Sequence, residues 1–340
     1  MSVWHKLLQT AIHAPSPHNV QPWRLRIVSD DTADLLIEKH RTLPKEDPTG
    51  SFIILSMGLF IQALQILAAN TSHKLDFQFY KPLSEFTPEH IAKAEGELLP
   101  FARLSLSSAR DDGERDNSNY DNALFLTRRT SRLSFLPQPV PDEVVQALSS
   151  LAYEWGQTYK QVTAAETIEQ ILKRNIEALF EDLNNPVYHD EIVEWFRFTD
   201  RSSRRTRDGL DYRCMNSSRI SFWLAARFPR LLQNSISRPI LEKIYRRQLG
   251  HVPTIGMLAG PFWEPESAFE TGRFLMCFWL ELAKHDLYIH PYGNLVTNKA
   301  AAESCLKLLG VPQIWLIFKI GFSNKPPQSY RRSVEEVLVD

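Results

Sequence analysis

Residues 14–23 read A-P-S-P-H-N-V-Q-P-W and residues 128–132 read R-R-T-S-R, one run in each part of a 340-residue chain. Pro15 and Pro17 fix φ and stiffen the first run. Ser16, His18, Asn19 and Gln21 present donors and acceptors from it. Such a loop suits the polar rim of a planar heterocycle. The second run offers planar guanidinium forks from Arg128, Arg129 and Arg132 and a hydroxyl from Ser131, which are groups that grip a phosphate. Alone, each run reads more readily as a polar, solvated turn. Their separation is the informative part, because a ligand with a flat ring and a phosphate would draw on both. Two smaller signals accompany them. In Pro291-Tyr292-Gly293 the glycine permits close backbone approach to a ligand. Arg331-Arg332 adds a second basic pair near the C-terminus.

Composition narrows the class. Hydrophobic residues at 43% and charged residues at 23% describe a folded globular chain with a sizeable core. A formal net charge of -1 gives no global basic field, so no nucleic-acid partner is expected. Cys214, Cys277 and Cys305 are odd in number and widely spaced, which fits neither a disulfide framework nor a Cys-x-x-Cys metal site. His285 and His290 have no further ligand at metal-binding spacing, so no metal is expected. Without an apolar leader behind a basic start, and with Ser56, Gln62 and Gln65 interrupting the longest apolar stretch, a cytoplasmic protein with no membrane partner is expected. The chain lacks a G-x-G-x-x-G, a phosphate-binding G-x-x-x-x-G-K and a G-x-S-x-G nucleophile motif.

Periodicity places these runs. Trp4, Leu7, Leu8 and Ala11 predict a helix over 2–13, which Pro15 ends. Alternation predicts a strand over Trp23–Val28, paired with Asp34–Lys39. From Phe52 to Leu67 the chain is apolar nearly all round, and such a helix must be covered on every face. Lys74–Tyr80 reads as a strand. Polar residues 107–119 read as a linker, dividing an N-terminal lobe, 1–119, from a C-terminal lobe, 120–340. Helices are expected near 165–182 and 190–197, followed by a long irregular region, 200–260, with an Arg-rich piece that could act as a lid. Leu275, Phe278, Trp279 and Leu282 predict a second central helix, and Ile314–Ile320 a strand buried on both faces. His18 has no carboxylate close in sequence, which favours a hydrogen-bonding role for it over acid–base work. The fold class is α+β, with a similar layout in each half.

These residues resemble the nitroreductase family of flavoproteins. A-P-S-P-H-N-V-Q-P-W is similar to the family's P-S-x-x-N-x-Q-P-W loop. Arg128 to Arg132 is similar to its R-R-S-x-R phosphate signature, Pro291-Tyr292-Gly293 to its flavin-approaching loop, and Arg331-Arg332 to its C-terminal basic pair. The order departs from that of the ordinary homodimeric members: here the loop comes first, and each half carries one set only. The resemblance is therefore to the fused, internally duplicated Acg-like branch. It implies a single-chain pseudo-dimer, plausibly monomeric, with one complete FMN site. Pro15, Ser16, His18, Asn19 and Gln21 would serve the isoalloxazine rim. Arg128, Arg129, Ser131, Arg132, Arg331 and Arg332 would hold the phosphate and ribityl, and Pro291, Tyr292 and Gly293 would lie near the reactive edge. The implied activity is FMN-dependent oxidoreduction, from NAD(P)H to a nitroaromatic, quinone or other small acceptor. The alternative is a protein that sequesters FMN with little turnover, and a third reading is a structural or interaction protein that has lost the cofactor.

Overall fold

Trp4, Leu7, Leu8 and Ala11 form the buried face of helix α1 (Val3–Ala11), in a computed structural model that describes residues 2–108, 120–229 and 234–340. The linker expected at 107–119 lies outside the described residues from position 109 onward. Strands β1 (Trp23–Ile27) and β2 (Thr32–Glu38) form the expected antiparallel hairpin. Helix α2 (Ser51–Ala69) follows, buried over most of its surface. It is the one helix among the described residues long and apolar enough to cross a membrane, and its neighbours in the protein cover it. Strand β3 (His73–Phe79), the short helix α3 (Pro88–Lys93) and strand β4 (Leu98–Ser108) complete the first half.

Strand β4 escapes a reading of the sequence because Pro100 cannot donate to a ladder. The sheet absorbs it with a register shift: Leu35 faces Ala102, whereas Leu36 faces Pro100. The extra residue is a bulge that spares the proline an obligatory bond.

The second half begins with α4 (Asn122–Thr127), α5 (Asp142–Glu154) and strand β5 (Thr158–Val162). Then come α6 (Ala165–Asn184), α7 (Pro186–Glu194), β6 (Phe196–Arg197), α8 (Asp200–Thr206), β7 (Leu210–Asp211), α9 (Arg219–Arg227) and α10 (Ser237–Leu249). The region expected to be irregular thus carries the helices α8, α9 and α10 among its described residues. Its starts are capped: Thr199 and Ser202 form a capping box on α8, and Ser218 accepts from the Ser221 N–H on α9. Strand β8 (Ile255–Ala259), helix α11 (Pro265–Lys284), strand β9 (Tyr288–Pro291), helices α12 (Asn294–Thr297) and α13 (Lys299–Leu309) and strand β10 (Ile314–Gly321) follow. Strand β10 is buried along its whole length, as its apolar run predicts. The chain closes with α14 (Val334–Val337) and β11 (Leu338–Val339).

The chain divides into two compact units. One comprises Met1–Arg128, Phe262–Glu281 and Tyr330–Asp340; the other comprises Arg129–Pro261 and Leu282–Ser329. This differs from a single division near 119, because two later segments return to the first unit. The reason is burial. Helix α2 needs a cover on every face, and most of α11 supplies one; β11 adds to the edge of β1 as a parallel strand.

In the first unit the sheet order is β11-β1-β2-β4-β3. Phe269 of α11 packs on Phe77, Phe79 and Phe101 of this sheet, with ring centroids 4.9–6.3 Å apart. The two central helices cross backbone to backbone. A Cβ on Gly58 would stand 2.2 Å from the Phe269 carbonyl oxygen, and one on Gly272 would stand 2.2 Å from that of Leu55. Each contact is the mirror of the other: glycine to the residue three before its counterpart. A reciprocal contact of this kind is the mark of a two-fold interface, here written within one chain.

In the second unit the sheet order is β5-β8-β10-β9. Gly256 leaves room for the Phe318 ring, which an added Cβ would meet at 2.5 Å. The short β6–β7 pair is pinned by Arg197, which donates to the buried Asp208 at 2.6 Å.

Candidate functional site

In the first unit, the segment between α1 and β1 is held in a conformation that side chains ordinarily avoid. His18, Asn19 and Gln21 have φ of 47°, 57° and 52°. Three non-glycine residues in left-handed backbone within four positions is stored strain of the kind that collects at ligand clamps. The loop's own polar groups hold it. The Gln21 N–H donates to Ser16 Oγ at 3.0 Å, and Gln21 Nε2 donates to the Asn19 carbonyl at 3.2 Å. Asn19 Nδ2 donates to the Tyr330 carbonyl at 3.0 Å. His18 Nε2 lies 3.3 Å from Glu46 Oε2, so the absence of a carboxylate partner expected from the sequence is corrected. Glu46 is 28 residues away along the chain and was invisible to a local reading.

Gln21 and Arg332 have structural duties. The Arg332 N–H donates to Gln21 Oε1 at 2.9 Å, and its guanidinium reaches Glu38 at 2.8 Å and the Glu336 carbonyl at 2.8 Å. Arg24 and Arg41 also meet Glu38, at 2.8 and 3.3 Å. Burial alone would raise the Glu38 carboxyl, but Arg332, Arg41 and Arg24 together hold it below the usual carboxylate range. The guanidinium of Arg332 is therefore held by Glu38 and the tail. Arg331 donates to the Tyr330 carbonyl at 3.1 Å, beside the carbonyl bond from Asn19. Arg128, in the same unit, is buried. It donates to the His13 carbonyl at 3.0 Å and lies over the Trp279 ring at 4.7 Å.

The second unit gathers the rest. Arg129 donates to the Pro326 carbonyl at 2.8 Å. Thr130 bridges Ile289 beside β9. Ser131 is buried with its Oγ 2.7 Å from Ser323 Oγ, so its hydroxyl already has a partner. Thr130 stands in the third position of the five-residue run, the position that Ser holds in R-R-S-x-R, and is the residue the sequence reading passed over. Arg132 donates to the Cys214 carbonyl at 3.2 Å. Pro291 ends β9, the Tyr292 N–H donates to the Ile317 carbonyl at 2.8 Å, and Gly293 is the N-cap of α12. Gly293 has an ordinary helical φ of -56°. Neither this φ nor crowding demands glycine here, because an added Cβ would meet nothing within 4 Å.

The charges that act on Lys319 and His290 are one-sided. Lys319 is fully buried and faces His290 across the β9–β10 ladder. Its ammonium donates to the Leu133 and Leu249 carbonyls at 2.7 and 3.1 Å and lies over the Phe135 ring. Burial first, then the charges of Arg132 and Arg246, pushes Lys319 down to about 7. Burial, then Arg132 and Lys319, keeps His290 well below its usual value and neutral at pH 7. Burial raises the Tyr292 phenol, which stays protonated. Among the described residues, Arg129 Nε, Arg132 Nε, His290 Nδ1 and the Tyr292 hydroxyl are buried without a hydrogen bond. Buried donors are nearly always satisfied. A cationic cluster with orphaned donors therefore fits an anionic, hydrogen-bond-accepting group such as a phosphate or an oxidised heterocycle. No group of three or more His, Cys, Asp or Glu side chains with metal-binding geometry occurs among the described residues.

Comparison with known proteins adds ancestry. No family model matches the chain. It is 24% identical over 345 residues to the "Putative NAD(P)H nitroreductase acg" of Mycobacterium tuberculosis strain H37Rv, covering 97% of this chain and 93% of that protein. It is 26% identical over 196 residues to the uncharacterized protein Rv3127 of the same strain, a match that spans 54% of this chain and about half, 50%, of that relative's length. Among solved structures, the FMN- and NADPH-dependent nitroreductase NfnB from sphigopyxis sp. strain HMH is 16% identical, covering 64% of this chain and 96% of its own, with a TM-score of 0.39. A superposition that loose carries no weight for the site.

Proposed function

We propose, from the premise that this chain is a member of the nitroreductase family, that it binds FMN and uses NAD(P)H to reduce a small acceptor such as a nitroaromatic or a quinone. The observation that chiefly supports this reading is the Ser16–Gln21 loop, strained in three non-glycine residues on the motif that the resemblance assigns to the flavin rim. FMN, when bound, supplies the electron-transfer chemistry, and the protein supplies position and electrostatics.

The chain's part is holding. Ser16, His18 and Asn19 would present the rim contacts, with Pro15 stiffening the loop and Gln21 keeping it in shape. Arg128, Arg129, Thr130, Ser131, Arg132 and Arg331 would serve the phosphate and ribityl. Pro291, Tyr292 and Gly293 offer an open, backbone-lined approach. Neutral His290 and protonated Tyr292 can hydrogen-bond an acceptor without adding charge. We assign no side-chain acid or base.

The test is an absorbance spectrum of freshly purified protein, with heat-released flavin quantified per chain. One FMN per chain is the expected result. Colourless protein that takes up no added FMN would overturn the reading. Oxidation of NADH or NADPH with a nitroaromatic then separates turnover from sequestration: bound flavin that nicotinamide does not reduce would leave a binding protein. Arg132→Ala is expected to weaken FMN binding by about tenfold or more, since a charge-assisted bond in a buried setting is worth roughly 1.5–3 kcal/mol.

A further inference from the structure

The segment between β5 and β8 carries a surface that the proposed flavin chemistry does not use. Of fifteen large hydrophobic side chains exposed among the described residues, seven fall on Ile220–Ile244. They follow the helices. On α9, Phe222 and Ala226 are buried, while Ile220, Trp223 and Leu224 are 72%, 46% and 39% exposed. At 100° per residue these three share the outward side with the exposed Arg227. Phe228, at the C-cap, meets Trp223 edge-on at 5.7 Å. On α10, Ile236 precedes the first turn, and Ile240 and Ile244 continue it at i+4 and i+8. They are 78%, 58% and 51% exposed, with exposed Lys243 and Arg247 alongside. Isoleucine on a solvent face gains nothing for the helix, because β-branched side chains lose rotamer freedom there.

On the two helices themselves the charge is basic, while Glu166, Glu169 and Glu177 of α6 line the cleft beside Lys243 and Arg246. The described residues of α9 and α10 hold Arg219, Arg227, Arg238, Lys243, Arg246 and Arg247 against Glu242, in a chain of net charge -1. Three of these cations are already paired: Arg219 with Asp200, Arg238 with Glu242 and Arg246 with Glu169. Arg227, Lys243 and Arg247 remain beside the isoleucines. Outward isoleucines, a Trp, and Arg and Lys whose stems can lie along the apolar surface are the pattern of a helix that rests in a bilayer interface.

We propose that α9 and α10 dock this protein onto an anionic lipid surface, with Ile220, Trp223, Ile240 and Ile244 entering the headgroup boundary and Arg227, Lys243 and Arg247 meeting the lipid phosphates. A second copy suits the patch less well. A two-fold contact sets the same patch against itself, which would gather Arg227, Lys243 and Arg247 of both copies into one interface. Affinity is built from apolar burial plus attraction to anionic headgroups, and the second part weakens with salt.

The experiment is co-sedimentation of the full chain with vesicles of phosphatidylcholine, with and without phosphatidylglycerol. The expected result is strong pelleting with the anionic vesicles, weak pelleting with the neutral ones, and release by salt. The double variant Ile240→Ser, Ile244→Ser should bind about tenfold or more weakly, and Lys243→Glu, Arg247→Glu should lose the preference for anionic vesicles. All four positions are exposed, so unchanged thermal melts certify that the variants fold. No binding to either vesicle, or equal binding by the wild type and the folded isoleucine variant, would overturn the proposal. So would a concentration-dependent dimer that the isoleucine variant abolishes in the absence of lipid.

Discussion

Apart from the added edge strand β11, the two sheets have the same four-stranded plan and different connections. β1-β2-β4-β3 and β5-β8-β10-β9 share one strand order, with every pair antiparallel. Each is preceded by an amphipathic helix, α1 or α5, and each strand pair is followed by a long central helix, α2 or α11. The first pair is closed by the short turn at 28–31, while the corresponding connection in the second half, 163–254, carries five helices among its described residues. The reverse holds one step earlier. Between α1 and β1 lies the strained loop of Ile12–Pro22, whereas α5 and β5 are joined only by Trp155-Gly156-Gln157. A duplicated scaffold has thus kept its strand order and specialised its connections. This is where function accumulates, because loops change at little cost to the core.

The sharpest way to break that comparison is at the helix crossing. If the duplication is a true two-fold, Gly58→Ala and Gly272→Ala are equivalent insults. Each sets a methyl 2.2 Å from a carbonyl oxygen, a contact that backbone must move to relieve. Each should cost about 3 kcal/mol, toward the upper end for overpacking, as read by denaturant midpoints. A large loss from one and none from the other would mean that the symmetry is only apparent.

Adjacent arginines sharpen it next. Arg332→Ala leaves Glu38 with Arg24 and Arg41 only and the Glu336 carbonyl with Arg24 alone, so a loss of about 2 kcal/mol is expected. Arg331→Ala should stay within about 0.5 kcal/mol of wild type and act on FMN affinity instead. Reversal of the two would return the phosphate role to Arg332.

Much of this was legible in the sequence because the signals were local. The apolar run of α2, the alternation of β1 and the periodicity of α11 each lie in one window. What escaped was decided by distant residues. Pro100 hides β4 until a bulge places it against Leu36. His18 finds Glu46, and Arg332 is claimed by Glu38 through a pairing that no spacing announces. Arg128 and Arg129 are neighbours in the motif yet belong to different units, which no reading of R-R-T-S-R distinguishes. Helices α9 and α10 were obscured because their outward faces are apolar, so the usual contrast between faces is blurred.

The smallest expected effect concerns the start of α2. The buried Asp47 accepts the Ile53 N–H at 2.9 Å. Gly272 minus Gly58 gives an offset of 214, which places Pro261 at the matching position of the second half, so this cap exists in one half only. Burial, only partly offset by the backbone bonds, raises the carboxyl to about 6 from 3.8. The sign follows from that direction. An acid that holds its proton more tightly when folded favours the fold below 3.8, and that advantage is lost as pH rises from 3.8 through 6. Above 6 the buried charge is a standing cost, at most on the order of 2–3 kcal/mol. Asp47→Asn keeps an oxygen for the Ile53 N–H and removes the ionisation. It should stabilise the protein by about 1 kcal/mol at pH 8 and leave it nearly unchanged at pH 4, and calorimetry across that range reads the difference. Equal stabilisation at both pH values would show that the carboxyl titrates alike in the folded and unfolded chains. In that case the first half owes nothing to a buried charge at its central helix, and the two halves are closer copies than their caps suggest.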